Sequence, residues 1–369
     1  MTIYIGLWLC VIATAYINQK GEFKPSYFMW CTFIGMTILL GLRGASVGED
    51  TPMYLAIAKS AAQLSWKSIV ADFPTTEWNF ISYGNYGGYI EKIETMFMIY
   101  NKTIMTIFND PQMVLIVTAI ITNVLMMKFI VDNVEKPQDI YMATYIYMCD
   151  SFFMNSFNAM RQMFAISIAV QSIKQLRERK YKQAIAMVLI AACFHQTSIL
   201  FFAVDYLYVM KNKTRNYKYF LACVLAFPVL LPITIKIIGQ ISKKYANYLQ
   251  VSFWGAQARG TIVLWILIGI GILIIVTSKK SDDYDLWMAY LATLYIGTEL
   301  IGMRLTMVSR LAMYFRVGLI LMFPAVVKYF KNNSVLLYKS AIYIIMTLSY
   351  FSYANSPARV YSFFNRMIL

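Results

Sequence analysis

The sequence predicts an all-α, polytopic integral membrane protein with about 12 transmembrane helices. Of its 369 residues, 59% are hydrophobic and only 14% are charged, and the mean hydropathy is +0.56. A soluble domain carries nearer ~25% charged residues. The apolar residues also fall into runs of helical length that short polar clusters separate.

The positive charge of the chain fits a membrane location. The formal net charge is +15, which in a soluble protein would favour nucleic acid as a partner. Here most lysines lie beside apolar runs, where they face an anionic leaflet. We therefore expect no nucleic-acid partner.

The first apolar run, IYIGLWLCVIATAYI (3–17), has no basic segment before it. We expect it to be a retained span rather than a cleaved signal peptide, with the N-terminus on the non-cytoplasmic side. Further candidate spans follow at 26–42, 112–131, 140–157, 159–176, 181–194, 197–210, 218–238, 260–278, 285–302, 310–329 and 335–354. The two runs that flank His195 are shorter than the ~20 residues of a full crossing, so they tilt, thin the bilayer or form a re-entrant hairpin.

Lysine-rich connectors set the expected orientation. The connectors NQKGEFK, KFIVDNVEKPQ, KQLRERKYK, KNKTRNYK, SKKSDD and KYFKN alternate along the chain, which makes them cytoplasmic by the positive-inside rule. The opposite face then carries residues 43–111 as an external, periplasmic-side loop. The end of this loop, IEKIETMFMIYNKTIMTIF, has the apolar spacing of an interfacial helix. We expect residues 1–369 to form a single membrane domain.

The arginines, unlike the lysines, do not follow the positive-inside rule. Most arginines fall on or near the external side: Arg43, Arg161, Arg259, Arg304, Arg310, Arg316, Arg359 and Arg366. An external arginine gains nothing from the leaflet potential, so a functional use is expected. Because a guanidinium matches phosphate oxygens bidentately, the pattern predicts an anionic ligand that carries phosphates.

Other polar residues are expected at the same face. His195, the only histidine, follows the span 181–194, where it serves either as a structural residue at a helix turn or as a functional group. Asp50 and Glu94 are the acidic residues that best fit a site, although Asp50 also has the position of a helix N-cap. Tyr314 lies one turn after Arg310 and can share its face. Five scattered cysteines and one histidine give no metal-site spacing, so we predict a process without metal or cofactor.

Five stretches on this predicted face resemble the EpsG family of bacterial exopolysaccharide polymerases, a branch of the Wzy-like O-antigen and capsule polymerases. The resembling residues, in chain order, are Arg43, Gly48, Asp50, Thr51 and Tyr54, then Glu94, then Arg161, Gln162 and Ala165, then Phe194, His195 and Ser198, and finally Arg310, Tyr314 and Phe315.

The resemblance implies a glycosyltransferase at the outer face of the bacterial inner membrane. Its donor and acceptor would be oligosaccharides on undecaprenyl pyrophosphate, and a flippase and a chain-length regulator of the same pathway would be its partners. Arg43, Arg161 and Arg310 would bind the pyrophosphate, and His195, Asp50 or Glu94 would act on the acceptor hydroxyl. The wider substrate-binding set adds Tyr54, Gln162, Arg304 and Tyr314. Residues 78–89, rich in aromatics, serve either as a sugar platform or as an interfacial belt.

Two other functions remain open at this point. An O-antigen ligase would use the same donor and a different acceptor. A flippase for lipid-linked oligosaccharides would also use arginines for pyrophosphate, but it should line a cavity that both faces reach. The basic and polar residues inside the predicted spans cluster near the external end, which favours the polymerase.

Overall fold

The fold is mainly helical, as expected for a chain with this composition. The computed structural model describes residues 1–22, 24–71, 77–84, 87–210, 217, 220–221, 224, 258–302, 306–357 and 360–364. The helices are α1 (Thr2–Lys20), α2 (Pro25–Gly41), α3 (Thr51–Gln63), α4 (Trp66–Val70), α5 (Thr95–Phe108), α6 (Gln112–Asn133), α7 (Asp139–Cys149), α8 (Ser151–Asn155), α9 (Met160–Ala169), α10 (Gln171–Arg177), α11 (Tyr181–Phe194), α12 (Phe201–Met210), α13 (Ala258–Thr277), α14 (Asp283–Gly302), α15 (Thr306–Val326) and α16 (Asn332–Ala354). Short 3-10 helices cover Gln196–Leu200 and Val327–Tyr329, and β1 (Glu77–Gly84) and β2 (Gly87–Glu94) form a hairpin.

These elements fall into two compact units. The first unit comprises Met1–Ile199 and Met346–Leu369, and the second comprises Leu200–Ile345. The first therefore contains the helices α1 to α11 and the hairpin. The second contains α12 to α15 and most of α16.

Several helices have the length and composition of membrane spans. Within the described residues, four stretches qualify: Thr2–Lys20, Gln112–Asn133, Val308–Tyr329 and Asn333–Ala354. Four shorter apolar helices cover Pro25–Gly41, Tyr181–Phe194, Gln196–Met210 and Ile262–Thr277. A helical membrane protein is thus supported, whereas the number of about 12 spans remains a prediction. The predicted span 218–238 and the loop beyond it lie largely outside the described residues.

The predicted span 140–157 is interrupted at Asp150. This residue is buried and has an extended backbone, with φ −75° and ψ 169°. It ends α7 and occupies the N-cap position of α8. An aspartate within an apolar run thus divides it into two short helices.

The predicted loop 43–111 contains regular structure. It holds α3, α4 and the antiparallel hairpin, in which Glu77 pairs with Glu94 and Gly84 pairs with Gly87. The amphipathic helix follows as α5, which begins directly after Glu94 and ends at Asn109 in the left-handed conformation. Glu94 therefore does not interrupt a helix but joins a strand to one.

A buried apolar cluster in the first unit holds these elements together. α5 packs against α3, α4, α6 and α11, and α9 packs against α6 and α11. The cluster comprises Met53, Tyr54, Leu55, Ile57, Ala61, Ile69, Ile93, Phe97, Met98, Leu115 and Met160. Because both strand and helix residues enter this cluster, it fixes the position of Glu94 between them.

In the second unit, α14 and α15 lie in close contact. A Cβ at Gly318 would come within 2.7 Å of the Leu291 side chain, which shows how near the two helices approach. The buried Asp285 of α14 forms an ion pair with Lys328, with 2.8 Å between Oδ1 and Nζ, and its Oδ2 accepts from the Tyr329 hydroxyl. These contacts tie the start of α14 to the 3-10 helix that follows α15.

Candidate active site

Three predicted site residues meet in the first unit: Glu94, Arg161 and His195. Glu94 is the last residue of β2, Arg161 lies in the first turn of α9, and His195 is the C-cap of α11. Arg161 Nη1 forms an ion pair with Glu94 Oε2. Glu94 Oε1 accepts from the Gln196 main-chain N–H at 2.9 Å and lies 3.5 Å from His195 Nδ1.

The three side chains are buried to different degrees. The exposed fraction is 4% for Arg161, 12% for Glu94 and 21% for His195. The Arg161 guanidinium also lies 5.9 Å from the centre of the Phe97 ring. An apolar ring beside the ion pair lowers the local dielectric constant and strengthens the interaction between the charges.

Glu94 is ionised in this environment. Burial raises the pKa of its carboxyl, but the contacts with His195 and Arg161 and the Gln196 N–H outweigh burial. The pKa therefore lies below its usual value of 4.5.

The His195 imidazole has one nitrogen beside the carboxylate. Its Nδ1 is buried and, among the described residues, has no hydrogen-bond partner. The 3.5 Å distance to Glu94 Oε1 is longer than an ordinary hydrogen bond. A carboxylate at this position favours the proton on Nδ1 and leaves Nε2 able to accept one.

Arg43 lies at the start of the loop that connects α2 and α3. Its side chain is fully buried, and burial lowers the pKa of its guanidinium to about 10, so it stays charged near neutrality. Arg43 Nε donates to Thr51 Oγ1 at 3.1 Å, and Nη1 donates to the Leu40 carbonyl at 2.5 Å. Nη2 lies 3.6 Å from Met160 Sδ. Arg43 is therefore held by neutral groups of the protein.

The loop that follows Arg43 is fixed to the segment before α9. Gly48 has φ +89°, and a Cβ there would lie 2.4 Å from the Phe157 carbonyl oxygen. The side-chain Oδ1 of Asn158 accepts from the Glu49 main-chain N–H at 3.2 Å. The main-chain carbonyl of Asn158 accepts from the Tyr54 hydroxyl at 3.1 Å. Asn158 was not predicted as a site residue, since a lone asparagine before a helix carries no chemical signal.

Asp50 occupies the position that the sequence predicted. It is the N-cap residue of α3, but its side chain makes no capping hydrogen bond. The Asp50 carboxylate is half-buried. Its assignment as a base remains a prediction.

The other predicted residues are distributed over the chain. Gln162 is buried in α9 of the first unit. Arg310 is exposed and Tyr314 is fully buried on α15 of the second unit. Arg316 on the same helix is buried, with its guanidinium 5.0 Å from the Tyr295 ring centre. Arg304 lies outside the described residues, as do Arg359 and Arg366.

Metal ligands are not gathered in the described part of the chain. No three histidine, cysteine, aspartate or glutamate side chains come together there. Whether the reaction needs a metal stays a prediction that an experiment must test.

The depressed pKa of Glu94 predicts a defined pH dependence of stability. A carboxyl whose pKa is lower in the folded state stabilises the fold above its unfolded pKa, near 4.5, and this contribution is lost as the pH falls through the folded value. We expect the difference in thermal midpoint between the wild type and Glu94→Gln to shrink as the pH falls from about 6 to about 3. A difference that stays constant over this range would contradict the ion-pair assignment.

The helices and this site define a class of protein. In the first unit, α1 and α6 have the length and composition of membrane spans, and the same unit holds the cluster of guanidinium, carboxylate and imidazole. Ionisable groups gathered in a helical membrane protein are typical of a functional site.

The family follows from a comparison with known families. The model of the EpsG family matches residues 26–365, nearly the whole chain, and the chain therefore belongs to this family. EpsG is a family of Wzy-like exopolysaccharide polymerases. Searches of curated proteins and of solved structures gave no significant match.

Proposed function

We propose that this protein is a polysaccharide polymerase that works without a metal ion. It transfers a growing glycan from undecaprenyl pyrophosphate onto the next lipid-linked repeat unit at the outer face of the bacterial inner membrane. Membership of the EpsG family supports the polymerase assignment. The observation that carries the mechanism is the Arg161–Glu94 ion pair with His195 Nδ1 beside it.

In the proposed reaction, an acceptor hydroxyl attacks the anomeric carbon of the donor glycan. A new glycosidic C–O bond forms, and the bond from that carbon to the pyrophosphate oxygen breaks. Undecaprenyl pyrophosphate leaves with the electron pair. The hydroxyl proton passes to His195 Nε2, whose ring Glu94 orients through Nδ1.

Arg161 has a second role in this proposal. A pyrophosphate oxygen that reaches Arg161 competes with Glu94 for the guanidinium and receives the charge of the leaving group. Glu94, released in part from Arg161, can then approach His195 Nδ1 more closely than 3.5 Å. Arrival of the donor thus brings the carboxylate closer to the imidazole that takes the acceptor proton.

The first test is direct synthesis. Purified protein in liposomes is incubated with an undecaprenyl-pyrophosphate-linked repeat unit in the presence of a chelator. A ladder of longer glycans is the expected result. A folded protein that gives no ladder with the host's own repeat unit would contradict the proposal. Glycan transfer only to a different acceptor would then identify a ligase, and lipid scrambling would identify a flippase.

Replacement of His195 by alanine is expected to lower the polymerisation rate by about 10²–10⁴-fold, because the acceptor loses its base. Lys182→Ala is the matched control, since Lys182 is exposed at the opposite end of α11. If His195→Ala polymerises at the control rate, the base lies elsewhere.

A further inference from the structure

A group of basic side chains lies where α6 ends and α10 packs against it. Lys128 Nζ and Lys174 Nζ both form ion pairs with the Asp132 carboxylate, with 2.9 Å between Lys174 Nζ and Oδ1. Arg177 Nη1 donates to the Asp132 main-chain carbonyl at 2.7 Å. These four residues are here called the basic cluster. It draws cations from two helices to one aspartate.

The basic cluster carries an excess of positive charge. Three cationic side chains contact Asp132. The nearby carboxylate of Glu178 pairs with Lys180 at 2.6 Å, so it does not remove the excess. Like charges held close together repel one another, and an anion that binds between them relieves the repulsion. The cluster therefore suits an anionic ligand.

The cations of this cluster are ordered and still accessible. Gln171 Nε2 donates to the Leu125 carbonyl at 2.8 Å, which fixes α10 against α6. The side chain of Lys128 is 48% exposed and that of Lys174 is 34% exposed. An ammonium group has three donors, so each lysine can bond to Asp132 and to a ligand together. Because both side chains are already held in place, the ligand gains their contacts at a low entropic cost.

An apolar stripe leads from the basic cluster along α6. The structure describes every residue of this helix, and the exposed ones are Ile120, Val124, Lys128 and Val131. Their spacing of four, four and three residues puts them on one face of the helix. The rest of α6 packs against neighbours that include α2, α5 and α9. A narrow stripe that is apolar up to Lys128 fits an acyl chain whose charged end lies at the cluster.

The depth of the basic cluster in the membrane favours the same ligand. α6 has the length and composition of a membrane span, and Lys128 lies five residues before its last residue, Asn133. This places the ammonium group about 8 Å from the helix end, near the boundary between acyl chains and headgroups. The connectors that follow α6 and α10 are among those predicted to be cytoplasmic, and the cytoplasmic leaflet is rich in anionic phospholipids.

We propose that the basic cluster binds the phosphodiester headgroup of an anionic phospholipid, with an acyl chain along Val124 and Ile120. The lysine and arginine donors hold the phosphate oxygens through charge-assisted hydrogen bonds. The site is separate from the candidate active site, because Arg161 begins α9 and His195 follows the far end of α11. The proposal therefore does not depend on the proposed function.

Retention of lipid by the purified protein tests this site. The protein in detergent micelles is titrated with dioleoyl phosphatidylglycerol, and native mass spectrometry counts the bound lipid. Dioleoyl phosphatidylcholine is the lipid control, since it has the same acyl chains and a headgroup without net charge. We expect the wild type to bind phosphatidylglycerol more tightly. Lys128→Gln/Lys174→Gln should weaken this binding by about 30-fold, from about fivefold for each lysine near a membrane surface.

Two further variants control for charge and for folding. Lys59→Gln/Lys67→Gln removes the same charge from two exposed lysines of α3 and α4 and should leave the binding of phosphatidylglycerol unchanged. The single variant Lys128→Gln keeps Lys174 beside Asp132. Loss of an exposed ion pair four residues apart on one helix costs little stability, so this variant should fold. We expect it to bind the lipid about fivefold more weakly.

Three results would overturn the proposal. The first is equal binding of phosphatidylglycerol by the wild type and by folded Lys128→Gln. The second is an equal loss of binding in Lys59→Gln/Lys67→Gln, which would show that the lipid responds to the overall charge of the protein. The third is displacement of the lipid by inorganic phosphate at the same concentration, because the acyl chain would then contribute nothing to binding.

Discussion

The Arg161→Ala protein is expected to lose polymerisation and to become less stable. Its partner Glu94, only 12% exposed, would remain charged without the guanidinium. Removal of one member of a buried ion pair costs about 3–5 kcal/mol of the free energy of unfolding, which is the upper limit for this partly buried pair. Loss of the guanidinium at the leaving group should lower the rate by a further factor of about 10²–10³. Unfolding of the protein in bicelles and the glycan ladder measure the two effects separately.

A double replacement separates stability from chemistry. In Glu94→Gln/Arg161→Met, the glutamine can still accept from the Gln196 N–H, and the methionine can pack on Phe97. Replacement of a buried ion pair by neutral residues of similar size is often close to neutral for stability. We expect near-wild-type unfolding and no ladder. A double variant that polymerises would show that the ion pair serves only the fold.

Gly48→Ala is expected to have the second large effect. The backbone there has φ +89°, and the new Cβ would lie 2.4 Å from the Phe157 carbonyl oxygen. The unfavourable conformation alone costs about 1–3 kcal/mol, and relief of the clash must move the loop that carries Asp50. Because catalysis is sensitive to displacements near 1 Å, we expect the rate to fall by about 100-fold.

Gly6→Ala is the matched control for this change. A Cβ at Gly6 in α1 meets nothing within 4 Å. Alanine should therefore stabilise this helix by about 0.5–1 kcal/mol and leave the rate unchanged. If Gly48→Ala behaves like Gly6→Ala, the loop before α3 is not held as the structure indicates.

The sequence predicted the helices well where apolar runs were uninterrupted. The run 181–194 coincides with Tyr181–Phe194, and the run 112–131 becomes Gln112–Asn133. The run 140–157 was read as one span, although Asp150 within it was visible. A buried polar residue with extended backbone breaks a helix that hydropathy alone treats as continuous.

The hairpin shows a second limit of the sequence analysis. The stretch EWNFISYGNYGGY was placed in the external loop because the segment that contains it is too polar to form a membrane span. Its alternating polar and aromatic residues, with glycines between two such runs, are typical of a β-hairpin. That pattern would have placed Glu94 at a strand end and not inside a helix.

The sequence analysis named the residues of the candidate site but not their contacts. Glu94, Arg161 and His195 were candidates because of their chemistry, and the fold brings them together. Their pairing could not be predicted, since it depends on how α5, α9 and α11 pack. Arg43 was expected to face a ligand. Its side chain is fully buried and contacts Thr51, Leu40 and Met160, which its sequence context does not indicate.

The first turn of α9 connects both arginines to one rigid element. Met160 contacts Arg43, and the next residue, Arg161, pairs with Glu94. A ligand at either arginine that shifts this turn must therefore change affinity at the other, and by the same factor in both directions. Under the proposed function, this reciprocity makes the two arginines cooperative. Binding of a ligand at Arg43 and preparation of the base beside Arg161 would then occur as one event.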